Sequence, residues 1–296
     1  LVGSEMCIRD SFLIELLGKY YDSKDRKKIK ASIFDIMIPI LDAEERIVLT
    51  KESQTFLEHK LVTDRNNTKG YVPAILQRGY ASNLQPDTVS SLIDLLDYYN
   101  IQLSGGKDPD KFVHHINYAT FLLAHDSSNL EDSLLYASTT GISRLLDTKY
   151  DILKDQLGNG LVCLTNHSLD RGIKLDDLSS YVLTKIASEG WIGKERKVYH
   201  VDARVTPLEI LEKALRNNHN ITPQAVELLV DNLDVADVSV LTSTLKVFTL
   251  ISKHGGYLSE NAIYTASKLI IPEEKLVTAA AIDFLANVCS NSKYDY

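Results

Sequence analysis

The chain has 296 residues, 44% hydrophobic and 24% charged, the proportions of a folded chain rather than a disordered one. Its formal net charge of -8 argues against nucleic acid as the main partner, because phosphate binding needs a broad basic face. No apolar run approaches the roughly 20 residues of a membrane span, and the length suits a one-dimensional stack better than a single core.

The first ten residues, LVGSEMCIRD, resemble a peptide produced by translating sequencing-adapter DNA at the edge of a transcript. They are expected to be foreign to the protein and are set aside, as a fusion scar would be. The expectation extends to the whole chain being a fragment, since SNSKYDY follows the last helix without a polar capping helix. The organisation expected is therefore residues 1–10 as an added segment, 11–62 as N-terminal helices, and 71–296 as stacked helices interrupted at 190–205.

From Ser11 the pattern is helical, with Phe12, Leu16 and Tyr20 on one side of a short helix over 11–21. Lys24, Arg26, Lys27, Lys28 and Lys30 read as the solvated first turn of a helix over 27–41. Ile29, Ile33, Ile36, Met37 and Ile40 form its apolar side, and Pro39 kinks or ends it. A partner helix over 43–62 carries Ile47, Leu49, Phe56 and Leu57, and the polar TDRNNTKG then breaks the chain.

A short helix around Val72 to Gln77 leads to one over 86–99, where Val89, Leu92, Leu96 and Tyr99 share a face. LSGGKD is a turn. A helix over 109–125 offers Phe112, Ile116, Ala119 and Leu123, and one over 130–146 offers Leu130, Leu134, Ala137, Ile142 and Leu145. Over 149–168, Gly158-Asn159-Gly160 reads as a turn between two short helices. It is not a nucleotide loop, lacking a third glycine, a Gly-Lys-Ser/Thr ending and a preceding strand. Leu178, Val182, Leu183 and Ile186 mark a helix over 176–189. The longest irregular stretch, GWIGKERKVYHVDARV, follows. The last helices are predicted over 206–217, 222–233, 237–253, 258–270 and 273–289.

Pro86, Pro109, Pro207, Pro223 and Pro272 sit where helices should begin, since a first-turn N–H has no intrahelical acceptor to lose. Thr206 with Glu209 makes a capping-box pattern, and Thr222 precedes Pro223 as an N-cap. Only KVYHV alternates like a strand, and one ribbon cannot make a sheet. The fold class expected is all-α.

Residues 222–289 contain one hairpin and a second copy of it. A shift of 36 lays Leu241 on Val277, Leu245 on Ala281 and Phe248 on Phe284. A shift of 37 lays Val226 on Ile263, Leu229 on Ala266 and Leu233 on Ile270. Repetition at that period marks stacked helical hairpins, because one hairpin alone cannot bury its apolar face. On 273–289 the adjoining stripes Leu276, Ala280, Phe284, Val288 and Val277, Ala281, Leu285 are wide enough to meet a partner helix and two neighbouring repeats.

VTAAAIDFLANVC resembles the inner helix of an armadillo repeat, whose pattern runs from small residues to a leucine and then an asparagine, here Leu285 and Asn287. The resemblance to the armadillo/HEAT class implies a right-handed α-solenoid that presents a groove to a protein or peptide. The family's nuclear-signal receptors carry a tryptophan four positions before the asparagine. This chain has Asp283 there, and Ile251 stands 36 residues before Asn287, so the ladder that grips basic peptides is absent.

Chemistry is sparse. His114 and His115 point about 100° apart on a helix and cannot ligate together. No His-x-x-x-His, Cys-x-x-Cys or Glu-x-x-His spacing recruits a metal. His125 and His254 suit helix C-termini, Cys163 has no identifiable base, and Cys163 and Cys289 read as inert thiols in a reducing compartment. Catalytic residues, cofactors and metals are expected to be absent. The 190–205 stretch gathers Trp191, Lys194, Arg196, Lys197 and Tyr199, residue types enriched at interfaces. It is either a binding loop or an insertion in which Trp191 plugs the stack.

The function expected is a non-catalytic, cytoplasmic interaction scaffold for a protein or peptide, with Asp283 and Asn287 facing its groove. The alternatives are a trafficking adaptor and a helical accessory domain of an enzyme.

Overall fold

A computed structural model describes residues 49–64, 68–147, 153–190 and 202–291. The described residues form α-helices and short 3-10 turns with no strand among them, in two compact units, Leu1–Leu134 and Leu135–Tyr296. The expected helices over 11–21 and 27–41 and the segment 1–10 lie outside the described residues. The helix expected over 43–62 is not continuous, since residues 49 and 50 are not helical and Thr50 caps a helix that starts only at Lys51.

The first unit contains α1 (Lys51–Thr63), α2 (Val72–Arg78), α3 (Pro86–Ser104), a 3-10 turn (Pro109–Lys111), α4 (Val113–His125) and the start of α5 (Asp132–Leu146). Thr50 caps α1, its hydroxyl accepting the Ser53 N–H at 3.2 Å. Leu57 and Leu61 of α1, Ile75 and Leu76 of α2, Leu92 and Leu96 of α3, and Ile116 and Leu123 of α4 meet in its core. Two further boundaries in this unit differ from expectation. α3 runs on to Ser104, so only Gly105 and Gly106 of LSGGKD turn, Gly106 at φ 80°. Pro109 opens a 3-10 turn, not α4, because Asp108 accepts the Asp110 N–H at 3.1 Å and closes that turn first.

The second unit contains the rest of α5, then α6 (Lys154–Asp170), α7 (Asp177–Glu189), α8 (Asp202–Arg216), α9 (Pro223–Val230), a 3-10 turn (Asp231–Asp234), α10 (Val238–Lys253), α11 (Glu260–Ser267) and α12 (Lys275–Ser290). Helices α6, α8, α10 and α12 pack in succession as one layer, while α7, α9 and α11 form a second layer behind them. That two-layer stacking of hairpins is an α-solenoid. Its starts are set by side chains: Asp176 accepts the Ser179 N–H, Asp237 those of Ser239 and Val240, and Ser259 that of Ala262. Thr222 caps α9 ahead of Pro223, as expected.

The 36-residue register holds. Leu241 and Val277, Leu245 and Ala281, and Phe248 and Phe284 are all buried, and the two phenylalanine rings meet at 5.8 Å. Gly158-Asn159-Gly160 does not break the chain, because α6 runs through it. Leu157, Leu161 and Leu164 are buried on one stripe across it, and that burial outweighs about 1 kcal/mol per glycine of lost helix propensity. α8 starts at Asp202, four residues before Thr206, so Pro207 lies inside the helix and the Thr206–Glu209 capping box does not form. The buried stripe Leu208, Leu211 and Leu215 holds the helix despite its proline.

Candidate partner-binding face

The repeat register shows which side of α12 is uncovered. On α10, Val240, Thr244, Val247 and Ile251 form one stripe, all buried. Thirty-six residues on, their counterparts are Leu276, Ala280, Asp283 and Asn287. Val240 is 1% exposed and Leu276 is 71% exposed. Asp283 is exposed, and Ala280 and Asn287 are half-buried. The stripe that is buried on α10 is therefore open on α12.

Other large apolar side chains of this region are also exposed. Tyr257, Tyr264, Ile270, Ile271, Leu276 and Ile282 are all exposed within the last hairpin. Lys268 Nζ lies 4.0 Å from the Tyr264 ring centroid, a cation–π contact. Asn287 Nδ2 donates to the Asp283 carbonyl at 2.6 Å and approaches Asp283 Oδ1 at 3.3 Å. Asp283 and Asn287 thus form one polar pair on an otherwise apolar stripe. Trp191, Lys194, Arg196, Lys197 and Tyr199 lie outside the described residues.

The described ends of that segment meet a polar node. Gly190 ends α7 in the left-handed region, at φ 65°. A Cβ there would lie 2.9 Å from Arg204 Nε, so the arginine stem packs directly on the glycine. The Arg204 guanidinium donates to Asn232 Oδ1 at 3.2 Å, and Asn232 Nδ2 donates to the Ala187 carbonyl at 3.2 Å. Asn232 is fully buried and ties α7, α8 and the turn after α9 together. Nothing in the sequence around it signals this role, because its partners are 28 and 45 residues away.

Cys163 does have a basic neighbour: His167, one helical turn on, places Nδ1 3.8 Å from its Sγ. The four-residue spacing is the signal for this pairing. The contact is longer than the about 3.2 Å reach of a nucleophile and its base. Among the described residues no group of three or more His, Cys, Asp or Glu is placed to hold a metal ion, and no helix is long and apolar enough to cross a membrane. His125 and His254 stand at the ends of α4 and α10, as expected. His115 is held below the ordinary histidine pKa by burial, then by His114 and Lys69, and His219 by burial and Lys174.

No protein-family model matches the chain, and neither does any curated protein. Among solved structures, an engineered protein is 16% identical with a TM-score of 0.36, over 87% of this chain and 97% of that one. A designed armadillo repeat protein, YIII(Dq)4CqI, is 14% identical with a TM-score of 0.35, over 86% of this chain and 99% of that one. The fold assignment rests on the hairpin stacking itself.

Proposed function

We propose that the chain is a non-catalytic interaction scaffold whose last hairpin presents a contact surface to a protein or peptide. The observation that carries this reading is the exposure of six large apolar side chains, Tyr257, Tyr264, Ile270, Ile271, Leu276 and Ile282, between residues 257 and 282. Exposed apolar side chains of this size suit an interaction site, and tyrosine is enriched at hot spots. Leu276 and Ile282 are the apolar anchors, and Asp283 with Asn287 supplies hydrogen bonds that fix register. In this reading the segment with Trp191, Lys194, Arg196, Lys197 and Tyr199 is a second, basic contact element. The thiols Cys163 and Cys289 suit a reducing, cytoplasmic setting. A trafficking adaptor would use the same surface, with cargo as the partner. An enzyme's accessory domain would use it to seat a catalytic one.

Selection from a displayed random-peptide library tests the reading without a known partner. Peptides that bind the native protein and lose binding to the Leu276→Asp, Ile282→Asp double variant are the expected outcome. Failure to enrich binders, or binders indifferent to both substitutions, would reject it.

A further inference from the structure

Where the turn before α2 meets α3 and α4, three basic side chains come together. Gly70 is half-buried, and a Cβ built on it would lie 2.9 Å from His115 Nε2. The imidazole therefore occupies the space that any larger residue at 70 would fill. Behind it stands the buried Tyr99 ring of α3, 6.0 Å away between centroids. Lys69, next along the turn, lies 4.1 Å over the Tyr98 ring of α3. His114, on the other side, stacks on Tyr118 at 6.5 Å within α4.

Among the described residues, then, the charged or chargeable groups acting on His115 are Lys69 from the turn and His114 from its own helix. α3 contributes the phenols of Tyr98 and Tyr99. Both neighbouring basic groups oppose a third positive charge, and the half-buried seat withholds water from it. Within the turn, the Tyr71 N–H donates to the Thr68 carbonyl at 3.0 Å, and the Thr68 hydroxyl to the Asp64 carbonyl at 2.9 Å.

We propose that His115 is a proton-operated latch, which when neutral sits on Gly70 and holds the 68–71 turn against α3 and α4, and when protonated leaves that seat and frees the turn with the start of α2. The linkage has a definite sign. The seated imidazole has its pKa lowered by burial, His114 and Lys69, whereas a released one returns towards about 6.5. Release is therefore favoured as pH falls below the released value, by at most about tenfold per pH unit, and levels off below the seated value. Above about pH 7 the latch stays shut. The device answers to the acidification histidine is suited to sense.

Amide hydrogen exchange on the full chain, corrected for intrinsic rates, reads the opening between pH 7.5 and 5. The Ile75 N–H, bonded to the Tyr71 carbonyl at 3.0 Å, reports the start of α2, and amides in α10 serve as the internal reference. In the native chain the α2 opening constant is expected to rise on acidification while α10 stays unchanged. His115→Gln removes the titrating group and should abolish that rise. Lys69→Met removes one opposing charge and should shallow it. Gly70→Ala fills the seat and should open the turn already at pH 7.5. An acid response that survives His115→Gln, one shared equally by α10, or full protection in Gly70→Ala would each overturn the latch.

Discussion

Asp126 holds Leu84 across 42 residues of chain: one oxygen of its carboxylate accepts the Leu84 N–H at 2.8 Å, in a buried contact. The other oxygen accepts the Asn83 N–H at 2.7 Å and the Asn129 side-chain amide at 2.7 Å. Glu58 of α1 also grips this stretch, accepting the Gln85 N–H at 2.7 Å and the Thr88 hydroxyl at 2.9 Å. Tyr80 and Asn83 in this loop both adopt positive φ, at 48° and 53°, which costs a non-glycine residue energy. Two buried carboxylates offset that strain by pairing every loop amide they reach.

Asp126→Asn should destabilise the first unit by about 2 kcal/mol, because the amide NH2 turns a donor towards a backbone N–H already in place. Asp126→Ala should cost more, leaving both N–H groups without that acceptor. Urea unfolding, followed by the exchange of first-unit amides, measures both.

In the second unit, Phe284→Ala should cost about 3–5 kcal/mol, the range for an aromatic ring removed from a packed core. Phe248→Ala should do the same. The double variant should cost less than the sum of the two, since the rings touch at 5.8 Å and each substitution removes the same contact. Additive losses would show that the two halves of the repeat are not packed as described.

Stability should fall as the solution is acidified through the range where unfolded histidines bind protons, about pH 6.5. His219 has a pKa lowered by burial and then by Lys174, so the folded chain takes up a proton there less readily than the unfolded one. The stabilisation is thus present above that pH and is lost below it, down to the folded value. Chemical denaturation at a series of pH values should show a smaller acid loss for His219→Gln.

Trp191 is the single tryptophan, so its fluorescence reports the 190–205 segment directly. As part of a contact element it should emit like a solvent-exposed indole and be quenched by iodide. Emission shifted to the blue and shielded from iodide would assign it to the packing of the stack.

Much of the fold was legible where burial follows sequence period. The 36-residue register between α10 and α12 read correctly because Leu241, Leu245 and Phe248 recur as Val277, Ala281 and Phe284 with the same burial. The Gly158-Asn159-Gly160 run misled because a local signal met a longer-range one, the leucine stripe across α6. The early start of α8 was hidden by Pro207, whose usual place is a first turn. The polar ties were not legible at all: Glu58, Asp126 and Asn232 look like surface residues in sequence, and their partners lie tens of residues away. Of the candidate site, Asp283 and Asn287 could be placed on α12, but which apolar side chains of α11, the following turn and α12 stay exposed shows only in the folded chain.

The exchange of Val247 for Asp283 and of Ile251 for Asn287 bears on how the protein behaves when concentrated. A helix that showed Leu, Ala, Val and Ile in one unbroken row to solvent would adhere to any similar row, including that of another copy. A charge set two-thirds of the way along that row makes each such encounter bury a carboxylate or hold the helices apart. Reverting the pair, Asp283→Val with Asn287→Ile, should therefore lower the concentration at which the purified protein begins to self-associate, and added salt should narrow the difference between the two forms by screening the charge.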